Sequence, residues 1–355
     1  MPSNKLKPSR LTITGLCSIL TILSLVTACN LTQAQEQHSQ NAWRERRSER
    51  LMRRDSRATN STSNTAKMVL ESLSHQGRTR SYYVYTPSSY QPDKPMPVVI
   101  AFHGGAGQGD TMAEKTGLNE VAQRGGFIAV YPNSAEKSRG GRWNDGRNSS
   151  VINRDIDDVG FVGAIIDRLS QEKNIDSQRI YATGGSNGGF FTQRLACEMS
   201  NRIAAFASVS ATLPASLQST CNPRKGVPIL MINGTADPFV PWQGGQVKIG
   251  AGGQVLSVPE TVQFWRNRDS CSSNSAVEQL PNSVSDGTEV TKAQYSGCRN
   301  SARVVFYTVE GGGHGWPGSR SRRRGDDSEG PSGKISRDIN ASDVIWNFFK
   351  PQTLQ

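Results

Sequence analysis

The sequence predicts an α/β protein built on a mostly parallel, doubly wound sheet flanked by helices. Three observations carry that expectation. Apolar runs of strand length at 97–102, 127–131 and 227–232 are continuous rather than alternating, which marks strands buried on both faces. Helical patterns separate the runs, so successive strands need crossovers and lie parallel. Several runs end in loops rich in glycine, where the active groups of open α/β sheets sit.

The 355 residues suit one large domain with appendages. The chain opens with a basic stretch and an apolar run over 11–28, the n-region and h-region of a secretory signal peptide. That run ends Leu25-Val26-Thr27-Ala28-Cys29, which resembles a bacterial lipobox and makes Cys29 a lipidation candidate that would attach the protein to a membrane. Ordinary signal cleavage, for instance after Ala34, is the competing reading. Residues 30–66 are rich in Gln, Ser, Asn and Arg without periodic apolar spacing, and read as a disordered tether. The expected organisation is a leader at 1–29, a tether at 30–66 and a catalytic domain at 67–355, extracytoplasmic and either secreted or anchored at the cell envelope.

Net charge is +11, yet the leader and the tether hold +3 each, and Arg320, Arg322, Arg323 and Arg324 add four more. The remaining body is nearly neutral, which argues against nucleic-acid binding despite the basic total. The four cysteines of the body, Cys197, Cys221, Cys271 and Cys298, suggest two disulfides in an exported chain. Three pairings exist; Cys197–Cys221 and Cys271–Cys298 each close a short local loop and are favoured. None has metal-site spacing.

Within the body, residues 68–73 and 80–86 alternate as a β-hairpin. The strand at 97–102 runs into His103-Gly104-Gly105-Ala106-Gly107. A helix ends near Gly125, and the strand at 127–131 leads into a long polar loop, 132–155, with Trp143-Asn144-Asp145 in its middle. Asp158 is expected to cap the helix over 159–169. A strand at 180–183 then enters Gly184-Gly185-Ser186-Asn187-Gly188-Gly189, followed by a helical pattern over 190–197. This is Gly-x-Ser-x-Gly in a strand–turn–helix setting, the pattern of a nucleophile elbow. Strands at 203–209 and 227–232 follow, the second leading to Asp237. A helix spans 260–268, the last strand covers 303–309 and leads to His314, and a helix at 341–350 closes the chain.

A serine nucleophile needs a base, and the base needs an orienting carboxylate. Of the four histidines, His38 falls in the tether, His75 in the first hairpin, and His103 on the loop after the 97–102 strand, where a backbone-bonding role is expected. That leaves His314 as base. Asp237, directly after a buried strand, is the candidate acid. The alternatives are a plain turn at Asp237 and a loop histidine at 314. The candidate oxyanion donors are the N–H groups of Gly105 and Asn187. Trp143, Trp242 and Trp316 lie on loops and are candidates for substrate binding, with loop packing as the alternative.

The motifs Phe102-His103-Gly104-Gly105, Gly184 to Gly189, Asn233 to Pro241 and Gly312 to Gly318 resemble the polyhydroxybutyrate depolymerase/feruloyl esterase family of secreted α/β-hydrolases, which overlaps carbohydrate esterase family 1. The order Ser186, Asp237, His314 is that fold's triad order. The resemblance spans about residues 68–350. It implies hydrolysis of carboxylic esters through an acyl-enzyme, the substrate being a feruloyl or acetyl ester of a polysaccharide or a short hydroxyalkanoate ester. It also implies neither metal nor organic cofactor. Where members often carry a cysteine, this chain has Gly105 and Asn187, a departure that bears on substrate rather than chemistry. A monomer is expected. The rival readings are a depolymerase acting on polymer, a serine peptidase of similar fold, and a lipid-anchored binding protein on a hydrolase scaffold.

Overall fold

The computed structural model describes residues 68–135, 141–319 and 330–354; the expected leader with Cys29, the tether with His38 and the arginines at 320–324 lie outside them. Among the described residues no helix is long and apolar enough to cross a membrane.

The first hairpin pairs β1 (Val69–His75) with β2 (Arg78–Tyr85). The continuous apolar runs form β3 (Met96–Phe102), β4 (Ile128–Pro132), β5 (Ile175–Gly185), β6 (Ala205–Val209), β7 (Ile229–Gly234) and β12 (Val304–Glu310), all parallel to their neighbours within this set. Two further strands, β10 (Ser275–Gln279) and β11 (Glu289–Tyr295), pair antiparallel beyond β12. The ten-stranded order is β1-β2-β4-β3-β5-β6-β7-β12-β11-β10. A short ribbon, β8 (Gly245–Gln246) with β9 (Gln254–Val255), stands apart from it.

The period-two alternation of buried strands sorts the apolar residues into two cores. Val98, Ile100 and Phe102 face α3 (Asp158–Glu172), α4 (Asn187–Glu198) and α5 (Val258–Arg268), with Phe161, Leu195 and Trp265 as partners. Val99 and Ala101 face α1 (Gly109–Thr116), α2 (Leu118–Gly125) and α6 (Ala341–Phe349), through Met112, Val121 and Trp346. Helices therefore cover both faces of a mostly parallel sheet, in the α/β-hydrolase arrangement. The chain leaves β3 toward β4 on one side, then returns to β5 on the other. That reversal opens a crevice at the carboxyl ends of β3 and β5.

Three sequence expectations change. The residue that caps α3 is Asp157, whose carboxylate accepts the Gly160 N–H at 2.8 Å. Asp158 lies one residue further, inside the first turn, and its buried carboxylate accepts from Arg80 at 2.7 Å and from the Asn144 N–H at 2.7 Å. Helix α1 went unread because its sequence, GDTMAEKT, opens on glycine and has little apolar spacing. Strands β10 and β11 went unread because they are largely polar and partly exposed.

Both favoured disulfides are present, Cys197–Cys221 and Cys271–Cys298. Beside the second, Asp269 is fully buried; one carboxyl oxygen accepts the Val227 N–H at 2.9 Å while the other has no partner. Burial pushes its pKa up to about 7. An unfolded aspartate titrates near 4, so between about pH 4 and 7 the folded state binds the extra proton and this group's contribution to stability falls as pH rises. Asp269→Asn, which mimics the protonated acid, is expected to improve stability relative to wild type at pH 8 over pH 4, by up to roughly 4 kcal/mol. Urea unfolding of both proteins at the two pH values checks this; an equal difference at both would refute it.

Candidate active site

Strand β5 ends at Gly185 and α4 begins at Asn187, so Ser186 alone makes the turn. Its backbone sits at φ 55°, ψ −122°, a conformation L-residues avoid at a cost of about 1–3 kcal/mol. Neighbours enforce it: the Ser186 N–H donates to the Val209 carbonyl at 2.9 Å. A Cβ at 184 would lie 2.4 Å from the Gly188 carbonyl oxygen, and one at 188 would lie 2.2 Å from that of Phe102. Only glycine permits either approach. The second contact presses the start of α4 onto the end of β3 and sets the 103–107 loop beside the serine.

His103 is 1% exposed and uses both ring nitrogens on backbone: Nδ1 is 2.7 Å from the Gly104 carbonyl, and Nε2 accepts the Ser134 N–H at 3.2 Å. These partners require the tautomer with the proton on Nδ1. Burial drives its pKa down to about 4, so the ring is neutral at ordinary pH. It is a structural histidine, as the sequence suggested.

Asp237 follows β7 in the Thr235–Asp237 turn. One carboxylate oxygen accepts the N–H groups of Phe239 (2.8 Å) and Val240 (2.9 Å), and the other lies 2.8 Å from Nδ1 of His314. The side chains are 2% and 13% exposed. His314 sits on the turn after β12, held by its own N–H to the Ser332 carbonyl (2.6 Å) and by the Phe239 ring edge-on at 5.3 Å. The next residue is pinned too: the Gly315 N–H donates to Ser210 Oγ at 3.1 Å, and that hydroxyl donates to the Gly315 carbonyl at 2.9 Å. With Nδ1 engaged by Asp237, Nε2 is the nitrogen left for other work.

Ser186 and His314 line one cavity of about 530 Å³, together with Gly104, Gly105, Met112, Lys115, Ser210 and Trp316. Among the described residues no hydrogen bond joins the side chains of Ser186 and His314. Lys115 enters the cavity from the last turn of α1, and burial lowers its pKa. Among the described residues no group of three or more His, Cys, Asp or Glu could hold a metal ion.

The three tryptophans part company. Trp316 lines the cavity, with its indole N–H on Ser342 Oγ at 3.1 Å. Trp143 is 0% exposed, stacked on Phe191 at 5.3 Å, and donates its indole N–H to the His103 carbonyl at 2.9 Å, so it cannot stack on a substrate. Trp242 packs on Phe306 at 6.0 Å and is not part of the cavity lining. Neither of these two lines the cavity that holds Ser186 and His314. Sequence reasoning missed Met112 and Lys115, since α1 was unread. It also missed Asp145 and Arg147, although a long loop carrying tryptophan and charged residues is itself a signal of function.

The family described as Esterase PHB depolymerase matches residues 80–222. NocK of Nocardia uniformis subsp. tsuyamanensis, named as an esterase, is 29% identical over 77% of this chain and 79% of its own. Feruloyl esterase D of Neurospora crassa is 29% identical over 67% of this chain and 74% of its own. Feruloyl esterase B of Piromyces equi is 27% identical over 66% of this chain, but the match spans only 42% of that relative's length. The family match covers the strand-to-helix turn at Ser186 and the His103–Gly107 loop. The chain thus resembles the Esterase PHB depolymerase family over residues 80–222 and feruloyl esterases over a longer stretch, has the α/β-hydrolase fold, and is a carboxylic ester hydrolase.

Proposed function

We propose that the protein is an exported serine esterase that hydrolyses feruloyl-type esters of polysaccharide through an acyl-enzyme, with Ser186 as nucleophile, His314 as base and Asp237 as its orienting acid. The observation that carries this reading is the joint placement of Ser186, on its positive-φ turn, and His314, bound through Nδ1 to Asp237 at 2.8 Å, on one cavity. Nε2 of His314 takes the Ser186 proton as Oγ bonds to the ester carbonyl carbon. The Gly105 and Asn187 N–H groups receive the charge on the carbonyl oxygen. As the tetrahedral centre collapses, the C–O bond to the alcohol breaks and His314 returns the proton to the departing oxygen. Water, deprotonated by His314, then attacks the acyl-enzyme, releasing the acid and restoring Ser186.

The size and lining of the cavity favour an aromatic acyl group over acetyl. A volume of about 530 Å³ far exceeds the need of an acetyl group, and Trp316, Met112 and Val209 offer apolar wall for a ring. The two disulfides fit an extracytoplasmic site of action. In the same reading residues 1–29 direct export, 30–66 tether, Cys29 carries the lipid, and the body from residue 67 works as a monomer.

The test keeps the alcohol constant: 4-nitrophenyl ferulate against 4-nitrophenyl acetate. The expected kcat/KM favours ferulate by about tenfold or more, the value of roughly 1.4 kcal/mol of ring contact. Equal values, or a preference for acetate, would remove the aromatic acyl group and leave acetyl esters as the substrate class.

A further inference from the structure

The described part of the long loop between β4 and α3 contributes no residue to the cavity lining, yet it is bonded to both chain segments that carry the candidate oxyanion donors. On one side, the Trp143 indole N–H donates to the carbonyl of His103, at the root of the loop that bears Gly105. On the other, the side chain of Asn187 is enclosed: its Oδ1 accepts the Trp143 N–H at 2.8 Å, and its Nδ2 donates to the Trp143 carbonyl at 3.3 Å and to the Asp145 carboxylate at 2.5 Å. All the hydrogen-bonding capacity this amide uses goes to that one segment.

The segment is itself fixed. Asp145 is 0% exposed and takes a salt bridge from Arg147 at 2.8 Å; its other oxygen accepts the Arg147 N–H at 3.0 Å. Arg147 donates onward to the Gly252 carbonyl at 2.7 Å and lays its guanidinium over the Phe190 ring, three residues along α4 from Asn187, at 4.2 Å. A buried, nearly fully satisfied polar network of this kind is rigid, and an asparagine at the first position of a helix would otherwise be free to turn to solvent.

We infer that the Trp143–Arg147 segment is a brace that fixes the spacing of the two oxyanion donors, with Asn187 and Asp145 as positioning residues whose side chains set where the Asn187 N–H points. The inference rests on the proposed serine mechanism. It gives residue 187 two separate duties: the backbone donates to the oxyanion, and the side chain keeps that donor aimed. Charge forming on the carbonyl oxygen is stabilised well only by donors already in place, so slack here acts on the transition state and leaves ground-state binding almost untouched.

The experiment uses the full exported chain with its disulfides formed. Asn187→Ala keeps the backbone donor and removes the clamp. The expected result is a kcat on 4-nitrophenyl acetate lower by about 10- to 100-fold, KM within threefold, and phenylboronic acid inhibition weakened in step with kcat/KM, since the boronate places an oxygen where the oxyanion forms. Asp145→Asn is expected to lower kcat by roughly 3- to 10-fold alone and to add nothing when Asn187 is already alanine, because it acts through that side chain. A folded Asn187→Ala enzyme with kcat within threefold of wild type overturns the brace, as does a loss at Asp145 that multiplies with the loss at Asn187. If Asp145→Asn does not fold, Asn187→Ala alone decides. Ser186→Ala, run beside them, separates the two ideas: activity surviving in that variant would defeat the serine mechanism itself, whereas a dead Ser186→Ala with an unimpaired Asn187→Ala defeats only the brace.

Discussion

Ser186→Ala is expected to abolish ester hydrolysis, lowering kcat by roughly 10⁵-fold or more. On the proposed mechanism the change removes the nucleophilic oxygen while leaving the turn intact, since alanine retains the Cβ and the strained φ of 55° is imposed by the packing of β3, β5 and α4. The His314–Asp237 pair and the cavity remain, so a folded variant should still bind ester without cleaving it. Initial rates on 4-nitrophenyl ferulate and attachment of a fluorophosphonate to the wild type, absent in the variant, are the two readouts. Activity within tenfold of wild type would mean another nucleophile. Ser210, also on the cavity wall, would be the next to test, although its hydroxyl is committed to the backbone of Gly315.

Asp237→Asn carries the second large effect, a loss of about 10³- to 10⁴-fold in kcat at neutral pH with KM little changed. The asparagine oxygen can still accept from the Phe239 and Val240 amides, so the turn survives. Its NH₂ then faces Nδ1 of His314 across the 2.8 Å gap now bridged by carboxylate. That favours the tautomer with the proton on Nε2, the nitrogen that must be bare to accept from Ser186. A variant that keeps its fold and loses less than tenfold would show that the carboxylate does not orient the base.

The parts of this molecule that were legible in the sequence share one physical trait: their signal is local. Continuous apolar runs such as 97–102 and 227–232 announce strands buried on both faces, and they became β3 and β7. The glycines around Ser186 announce a turn that tolerates no side chains, and the close approaches at 184 and 188 give the reason. The hairpin at the start and the pairing of four cysteines were likewise short-range. What escaped depends on contacts distant in sequence. Asp157 and Asp158 are neighbours with the same side chain, and it is Arg80, far back in the chain, together with the Asn144 N–H that holds the second in the interior. Trp143 looked like a surface aromatic because its loop is polar, while its partners, the His103 carbonyl and the Phe191 ring, come from a strand end and a helix on either side of it in sequence. Strands β10 and β11 stand at the rim of the sheet, where alternation with polar residues is weak and no buried run marks them.

That rim holds a last consequence. The Cys271–Cys298 bond crosses just outside the first pair of the β10–β11 ladder, Ser275 opposite Tyr295. The hairpin is thus stapled at its open end and cannot unzip from there. Among the described residues it ends the sheet with a strand whose outer backbone edge has no partner strand and whose Val277 is 66% exposed, the kind of edge that recruits strands from other molecules once it works loose. Peeling would have to start from the turn, against a ring already closed. Reduction of that bond would leave this rim hairpin held by its ladder and its turn alone.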